Sequence, residues 1–333
     1  MKIAIIGTGN VAQSNYLPFL SKQEGIELIY YSRTEQKSQD CANRFGGTVI
    51  TSLKELVFHE PDSIFILTRE MQRAQVLQQL LPLQPKRIFC EKPLIAAISQ
   101  SQVNENDYYH AYALIKAARE KNIEMAMMFN YRTFDQVQKA QKIVVDRNFG
   151  PLQQISVVTH YNCWSHCIDL LLEFAGPVET IFAMSGSISY DTGEMKDKDV
   201  SATMRFKSGA VGSLIGTYGT ANKAPLYHIQ MNFQKGSLHL RDLDGQLTIS
   251  DDNNPDDEDY PLNKDWSRDK QYDASFQKAI SAYLQSIRTK QPPPVPIEAG
   301  LRELLFEAAL RKSLTLNTPI QVTHDLSIQM ASS

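Results

Sequence analysis

The chain has 333 residues, 42% hydrophobic and 21% charged, which predicts about two domains with ordinary globular cores. A formal charge of −3 excludes a general nucleic-acid binder, and the longest helical apolar stretch, around Ile168–Gly176, is too short to span a bilayer. No charged leader with a long apolar core precedes the first segment, and four cysteines (Cys41, Cys90, Cys163, Cys167) make no disulfide framework in so long a chain, so a cytoplasmic protein with reduced thiols is expected.

Lys2–Ile6 is a short, β-branched apolar run suited to a buried parallel strand. It is cut by Gly7-Thr8-Gly9-Asn10-Val11-Ala12, a G-x-G-x-x-A turn, and helix-like residues continue through Leu20. Gly7 allows a tight turn, Gly9 lets the backbone approach a diphosphate, and Ala12 lets the helix pack against the strand. The N–H groups at the helix start face the phosphates, where the helix dipole favours negative charge. Glycine turns are common; the strand before and the helix after make this one a predicted dinucleotide site.

Ile26–Tyr31 is a second strand-like run, and the residues at its carboxyl end select the cofactor. NAD sites usually place an Asp or Glu about 20 residues after the glycines to accept from the ribose 2′-hydroxyl. Here the run ends in Ser32-Arg33-Thr34, while Glu24 and Glu27 fall before or within the strand. Arg33 can pair with a 2′-phosphate, and Ser32 and Thr34 can donate to it, so NADP(H) is expected over NAD(H). The plainer alternative makes Arg33 a surface residue and Ser-x-Thr a helix cap.

Strand- and helix-like segments then alternate: Gln36–Phe45 helix, Thr48–Ile50 strand, Leu53–Val57 short helix, Ser63–Leu67 strand, Met71–Leu81 helix and Arg87–Cys90 strand. The alternation predicts right-handed βαβ units in an α/β, doubly wound parallel sheet, with ligands at the carboxyl ends of the strands. Thr68 sits at one such end, before Arg69 and Arg73, which either bind an anionic substrate or lie on the helix surface. Glu91-Lys92-Pro93 sits at another. Lys92 can hydrogen-bond a substrate oxygen and stabilise negative charge as hydride moves; Glu91 can accept from the cofactor or orient the lysine; the bond before Pro93 can be cis. An exposed Glu-Lys pair before a helix-starting proline is the competing reading of the tripeptide.

These motifs resemble the glucose–fructose oxidoreductase / inositol dehydrogenase (Gfo/Idh/MocA) family. The resemblance runs on through Met128-Phe129-Asn130-Tyr131-Arg132, Gly150-Pro151-Leu152, Ser165-His166-Cys167-Ile168-Asp169-Leu170 and Gly236-Ser237-Leu238 to a helical tail around Leu301–Ser313. It implies a Rossmann domain, placed at 1–121, and a second α+β domain at 122–333 with an open, mainly antiparallel sheet that often forms dimers or tetramers. It also implies NAD(P)-dependent hydride transfer on a sugar, polyol or similar small carbonyl compound.

In the second part, Ile123–Asn130 reads as a strand, Thr133–Asn148 as a helix and Leu152–His160 as a strand. At 3.6 residues per turn Asn162, His166, Asp169 and Glu173 would share one helical face, with Ile168, Leu171, Leu172 and Ala175 opposite. The motif order assigns His166 as general acid/base, Lys92 as the group polarising the reacting oxygen, and Asn162 and Asp169 as substrate-orienting, with Tyr131 and Arg132 as pocket candidates. One departure stands out: the family pattern has aspartate where this chain has Asn162, which hydrogen-bonds but cannot raise the basicity of His166 by charge. The Gly150–His166 segment is also shorter than in such proteins. With NADPH, a less basic His166 suits reduction of a ketone or imine better than alcohol oxidation, and keto-sugar reduction is expected; the short segment leaves open reduction of a C=N or C=C bond in a larger ligand, and Asn162 a cofactor-binding sensor without turnover. Cys163, His166 and Cys167 make an incomplete tetrahedral set, and no metal is expected.

Ile181–Tyr190, Ala202–Phe206, Ala210–Tyr218, Leu226–Phe233, Ser237–Leu240 and Gln246–Ile249 read as antiparallel strands, with turns at Lys207-Ser208-Gly209 and Asp244-Gly245. Such a sheet has a face to cover, so a homodimer or homotetramer is expected. The acidic stretch Asp251–Asp259 reads as a solvated loop, Asp273–Arg288 and Glu298–Leu314 as helices, and Tyr218, Tyr227 and His228 as further pocket candidates.

Overall fold

A computed structural model of the chain describes residues 1–100, 102–191, 196–219, 225–241, 247–260 and 267–322. The predicted turn at Asp244-Gly245 lies outside them. Two compact units emerge: Met1–Gln100, Asn106–Phe129 and Phe276–Leu301 form the first, and Ser101–Glu105, Asn130–Ser275 and Arg302–Ser333 the second.

The first unit holds β1 (Lys2–Ile6), β2 (Glu27–Tyr31), β3 (Thr48–Val49), β4 (Ser63–Ile66), β5 (Arg87–Cys90) and β6 (Glu124–Met127). They form one parallel sheet in the order β3-β2-β1-β4-β5-β6, the doubly wound Rossmann order that reverses direction between β1 and β4. The intervening helices are α1 (Leu17–Leu20), α2 (Glu35–Phe45), α3 (Leu56–His59), α4 (Glu70–Leu80) and α5 (Glu105–Glu120), the last of which the sequence reading passes over. Residues expected to open the second domain instead finish this sheet: β6 pairs parallel with β5 from Arg87↔Glu124 to Cys90↔Met127. Met125, Ala126 and Met127 are buried on alternating sides, as a strand covered on both faces requires. Tyr16, Phe65, Phe89, Phe276 and Tyr283 form one aromatic cluster beside the sheet, with Phe65 and Phe89 stacked at 4.6 Å. Burying each such ring contributes roughly 2–3 kcal/mol.

The second unit is built on nine strands: β7 (Leu152–His160), β8 (Val178–Asp191), β9 (Lys196–Phe206), β10 (Val211–Thr217), β11 (Tyr227–Phe233), β12 (Gly236–Arg241), β13 (Leu247–Asp251), β14 (Asn254–Tyr260) and β15 (Ile320–Gln321). Their order is β14-β13-β12-β11-β7-β10-β9-β8-β15. Every pairing is antiparallel except β7 with β10, so the sheet is mixed though mainly antiparallel, as the strand pattern predicts. Helix α6 (Asp135–Asp146) packs near β12 and α7 (Trp164–Ala175) on β7; α8 (Arg268–Arg288) and α9 (Ile297–Leu316) come after the strands in sequence. One expectation is corrected here. The acidic stretch is no loop but the turn and outer strand of a hairpin, registered Leu247↔Tyr260 to Asp251↔Asn254. Thr248 and Ser250 donate to Asp259 and Asp257 across the pair, and Arg147 forks onto Glu258 at 2.7 and 2.8 Å, so the carboxylates are satisfied in a strand.

Candidate active site

The carboxyl ends of β1, β2 and β4 edge a cavity of about 590 Å³, lined by residues from Gly7 to Val11, by Ser32, Arg33 and Thr34, by Thr68 and Arg69, and by one side of α4. Every residue lining it belongs to the first unit. Gly7 has φ +99°, and a Cβ there would lie 2.8 Å from the Thr68 amide nitrogen, so the fold itself demands glycine. Gly9 is different: an added Cβ would meet no atom within 4 Å, so protein packing gives no reason for a bare backbone. The opening it leaves fits a diphosphate lying against the loop, and the buried Thr68 Oγ1, without a hydrogen-bond partner among the described residues, also lies at this cavity.

The helix after the loop is widened. A π-helical turn over Ala12–Tyr16, in which the Leu17 amide reaches back to the Ala12 carbonyl, precedes α1. Pro18 explains it, since its ring lacks an N–H and would clash with a carbonyl four residues earlier.

At the end of β2 the Ser32 hydroxyl donates to the Thr34 carbonyl at 2.6 Å and accepts from Ser38 at 3.1 Å. Arg33 is exposed, as is Lys37 in the first turn of α2, and both line the cavity. Neither side chain makes a hydrogen bond or ion pair among the described residues, and no carboxylate lines the cavity. The sequence analysis does not single out Lys37, which reaches the cavity from the first turn of α2.

Glu91, Lys92 and Pro93, expected among the cofactor contacts, do not line this cavity. Glu91 is buried with both oxygens engaged: Oε1 accepts from Tyr16 Oη at 2.5 Å and Oε2 from the Lys92 amide at 2.9 Å. Lys92 is half-buried, with Nζ 3.4 Å from Gln100 Oε1, and the Lys92–Pro93 bond is cis. Arg73 is neither of the things expected of it. It is buried, its Nε donates to the Thr68 carbonyl at 3.0 Å, and its Nη1 donates to the carbonyls of Glu91, at 2.8 Å, and Pro93. Arg69 is exposed at the cavity.

In the second unit the expected two-faced helix is corrected. Asn162 lies in a separate 3₁₀ turn, Tyr161–Cys163, and is exposed, whereas α7 is buried all round from Trp164 to Leu172. His166 is buried, and its ring stacks on Tyr131 at 4.0 Å and 11°. Tyr131 Oη lies 3.2 Å from Cys163 Sγ, and burial holds its phenol well above the usual range. Asp169, expected to orient substrate, is instead gripped by Arg132, whose Nε and Nη2 donate to its two oxygens at 2.7 and 2.6 Å. The third arm, Nη1, lies 2.7 Å from Glu173. Burial pushes the Asp169 carboxyl up to about 6, with the Arg132 fork pulling the other way. Tyr227 joins this cluster with its ring 5.7 Å from that of Tyr131; Tyr218 packs on Tyr161, and His228 on His239. Among the described residues no group of three or more His, Cys, Asp or Glu could hold a metal ion, and no helix is long and apolar enough to cross a membrane.

Fold and pocket together define a two-unit protein with a Rossmann dinucleotide site. Family comparison makes this specific: the oxidoreductase family with an NAD-binding Rossmann fold matches residues 1–129, and the GFO/IDH/MocA C-terminal domain matches residues 153–239. The chain belongs to the GFO/IDH/MocA family and is an NAD(P)-dependent dehydrogenase. No curated protein matches it. Solved structures that resemble it include an oxidoreductase from Agrobacterium radiobacter in complex with NAD⁺, L-tartaric acid and magnesium, at TM-score 0.80 and 15% identity over 97% of this chain and 98% of that one. The WlbA dehydrogenase from Bordetella pertussis, in complex with NADH and UDP-GlcNAcA, gives 0.77 and 17% over 96% and 97%. Levoglucosan dehydrogenase, with NADH and levoglucosan, gives 0.79 and 15% over 97% and 99%. At these identities the likeness is one of fold.

Proposed function

We propose that this chain is an NADP(H)-dependent reductase of a small carbonyl compound, a keto-sugar or a relative of one. The observation that carries the cofactor choice is the cation set Arg33, Lys37 and Arg69 on a cavity without a carboxylate. A 2′-phosphate there would gain charge-assisted hydrogen bonds, whereas the 2′-hydroxyl of NADH would lack the usual carboxylate acceptor. The relatives named above carry NAD⁺ or NADH, so the difference would reside in these side chains. Levoglucosan and UDP-GlcNAcA in those complexes support a sugar-like substrate.

A dinucleotide held by the glycine loop and the strand-end residues would supply the hydride. The protein's own part is to stabilise the oxygen and manage its proton: the Lys92 ammonium polarises the carbonyl and holds the developing alkoxide, and His166 delivers the proton, its ring set by Tyr131. Asn162, exposed and neutral, hydrogen-bonds substrate, while Asp169 acts through Arg132 rather than on substrate. Turnover in this reading is faster as reduction than as oxidation near neutral pH. The cofactor test is direct. Arg33→Ala combined with Lys37→Ala should weaken NADPH binding about 30-fold or more in a fluorescence titration and leave NADH within about twofold, given roughly 1.5–3 kcal/mol per charged hydrogen bond. Tighter NADH binding by the unmodified protein, or equal weakening of both cofactors, would overturn the choice.

Association through the open sheet belongs to the same proposal. Met184, Ser201, Ile215 and Val158 are neighbours across four strands, and Met184, Ile215 and Val158 are exposed. Such an apolar row suits a second copy of the chain. Light scattering should give a dimer or tetramer that Ile215→Asp reduces to monomer; a monomeric unmodified protein rejects it.

A further inference from the structure

We propose that Arg73 and Tyr16 are positioning residues for Lys92, the first holding the backbone on either side of it and the second fixing the carboxylate that takes its amide. This deepens the catalytic reading above and rests on Lys92 acting at the substrate oxygen.

Lys92 lies just past the end of β5, where a chain leaving a strand has no ladder to define its path. Two devices replace the ladder. One guanidinium, on α4, donates to the carbonyls of Glu91 and Pro93, the residues immediately before and after Lys92, and also to the Thr68 carbonyl beyond β4. The strand ends of β4 and β5 are thereby tied to one planar, rigid group. Arginine suits this because its donors leave in fixed directions, whereas an ammonium is a point donor on a flexible stem. Its burial is costly unless those donors are used, so the three carbonyls and the cation hold one another in place.

The second device comes from the nucleotide loop. Tyr16 ends the π-helical turn after the glycines, and its ring is wedged among Phe65, Phe89 and Phe276. From there its hydroxyl donates to Glu91 Oε1, leaving Oε2 for the Lys92 amide. Glycine loop, widened helix, tyrosine, carboxylate and lysine amide thus form one bonded path within the first unit. A Glu91 carboxylate freed from Tyr16 could rotate, and the Lys92 amide would lose its acceptor.

The test reads Lys92 itself. Tyr16→Phe, Arg73→Ala and Arg73→Lys are labelled with trace acetic anhydride between pH 7 and pH 10, and each lysine peptide is quantified by mass, with Lys54 and Lys116 as internal references. Lys92 labelling should change about threefold or more in Tyr16→Phe and Arg73→Ala, with both references unchanged and the NADPH dissociation constant within about twofold. Guanidinium chloride at about 20 mM, but not sodium chloride, should return Arg73→Ala toward the unmodified profile, and Arg73→Lys should not restore it. Unchanged Lys92 labelling, or a change shared by Lys54 and Lys116, overturns the proposal. If Arg73→Ala fails to fold, Tyr16→Phe decides alone, since it removes one hydroxyl and keeps the ring. Full turnover in Lys92→Ala would sink the catalytic reading instead, a result the labelling experiment does not share.

Discussion

Replacing Lys92 with alanine should lower kcat about 10²–10³-fold while the KM for NADPH stays nearly constant. The size reflects when the interaction matters. A ground-state carbonyl gains little from an ammonium, but the alkoxide that forms as hydride arrives carries nearly a full charge, so the stabilisation is concentrated in the transition state. Lys92 is half-buried, which limits how much water can substitute for the lost group. Lys92→Arg keeps the charge but not the point geometry and should recover less than a tenth of the rate. Reduction of keto-sugars monitored at the NADPH absorbance band checks both, and a Lys92→Ala kcat within threefold of the unmodified enzyme would remove this residue from the mechanism.

Arg132→Ala should destabilise the protein by about 3–5 kcal/mol, since it strands Asp169 as a buried carboxylate without its partner. The loss should depend on pH, with a definite sign. Burial already raises the folded carboxyl to about 6, above its value in the unfolded chain, so the native state holds the proton more tightly. Stability from this group is therefore fully present below about pH 4, falls as pH rises toward 6, and is level above that. Removing the guanidinium lifts the folded value further, so the slope should extend to higher pH and the variant should lose more at pH 8 than at pH 5. Denaturant unfolding at the two pH values measures this; a loss equal at both, or larger at pH 5, contradicts it. Asp169→Asn in the Arg132→Ala background should abolish the difference.

Local chemistry made much of the first unit legible. The strand, the two glycines and Ala12 lie within a dozen residues, and the strand-end arginine lies where spacing alone directs attention. Arg73 was opaque because its partners are backbone carbonyls 5, 18 and 20 residues away, which no side-chain pattern records. The Tyr16–Glu91 bond spans 75 residues and was hidden for the same reason. Asn162 was misplaced because counting 100° per residue presumes one continuous α-helix, and a 3₁₀ turn intervenes before α7. Motif order and helical spacing give Asp169 a substrate role; its burial and its pairing with Arg132, 37 residues earlier, are long-range features that neither records. The hairpin strand β14 was read as loop because acidic composition outweighed alternation, whereas cross-strand hydroxyls and Arg147 supply what the carboxylates need.

That same acidic strand has a consequence for how the protein keeps its own company. β14 and β15 are the outermost members of the nine-stranded sheet, one carrying Asp256, Asp257, Glu258 and Asp259 in succession, the other only two residues long. A bare strand rim is ordinarily an invitation to runaway polymerisation; here the run of carboxylates along β14 repels its own copy electrostatically. Neutralising the acidic rim, by low pH or by Asp-to-Asn replacement, would convert a guarded border into a sticky one.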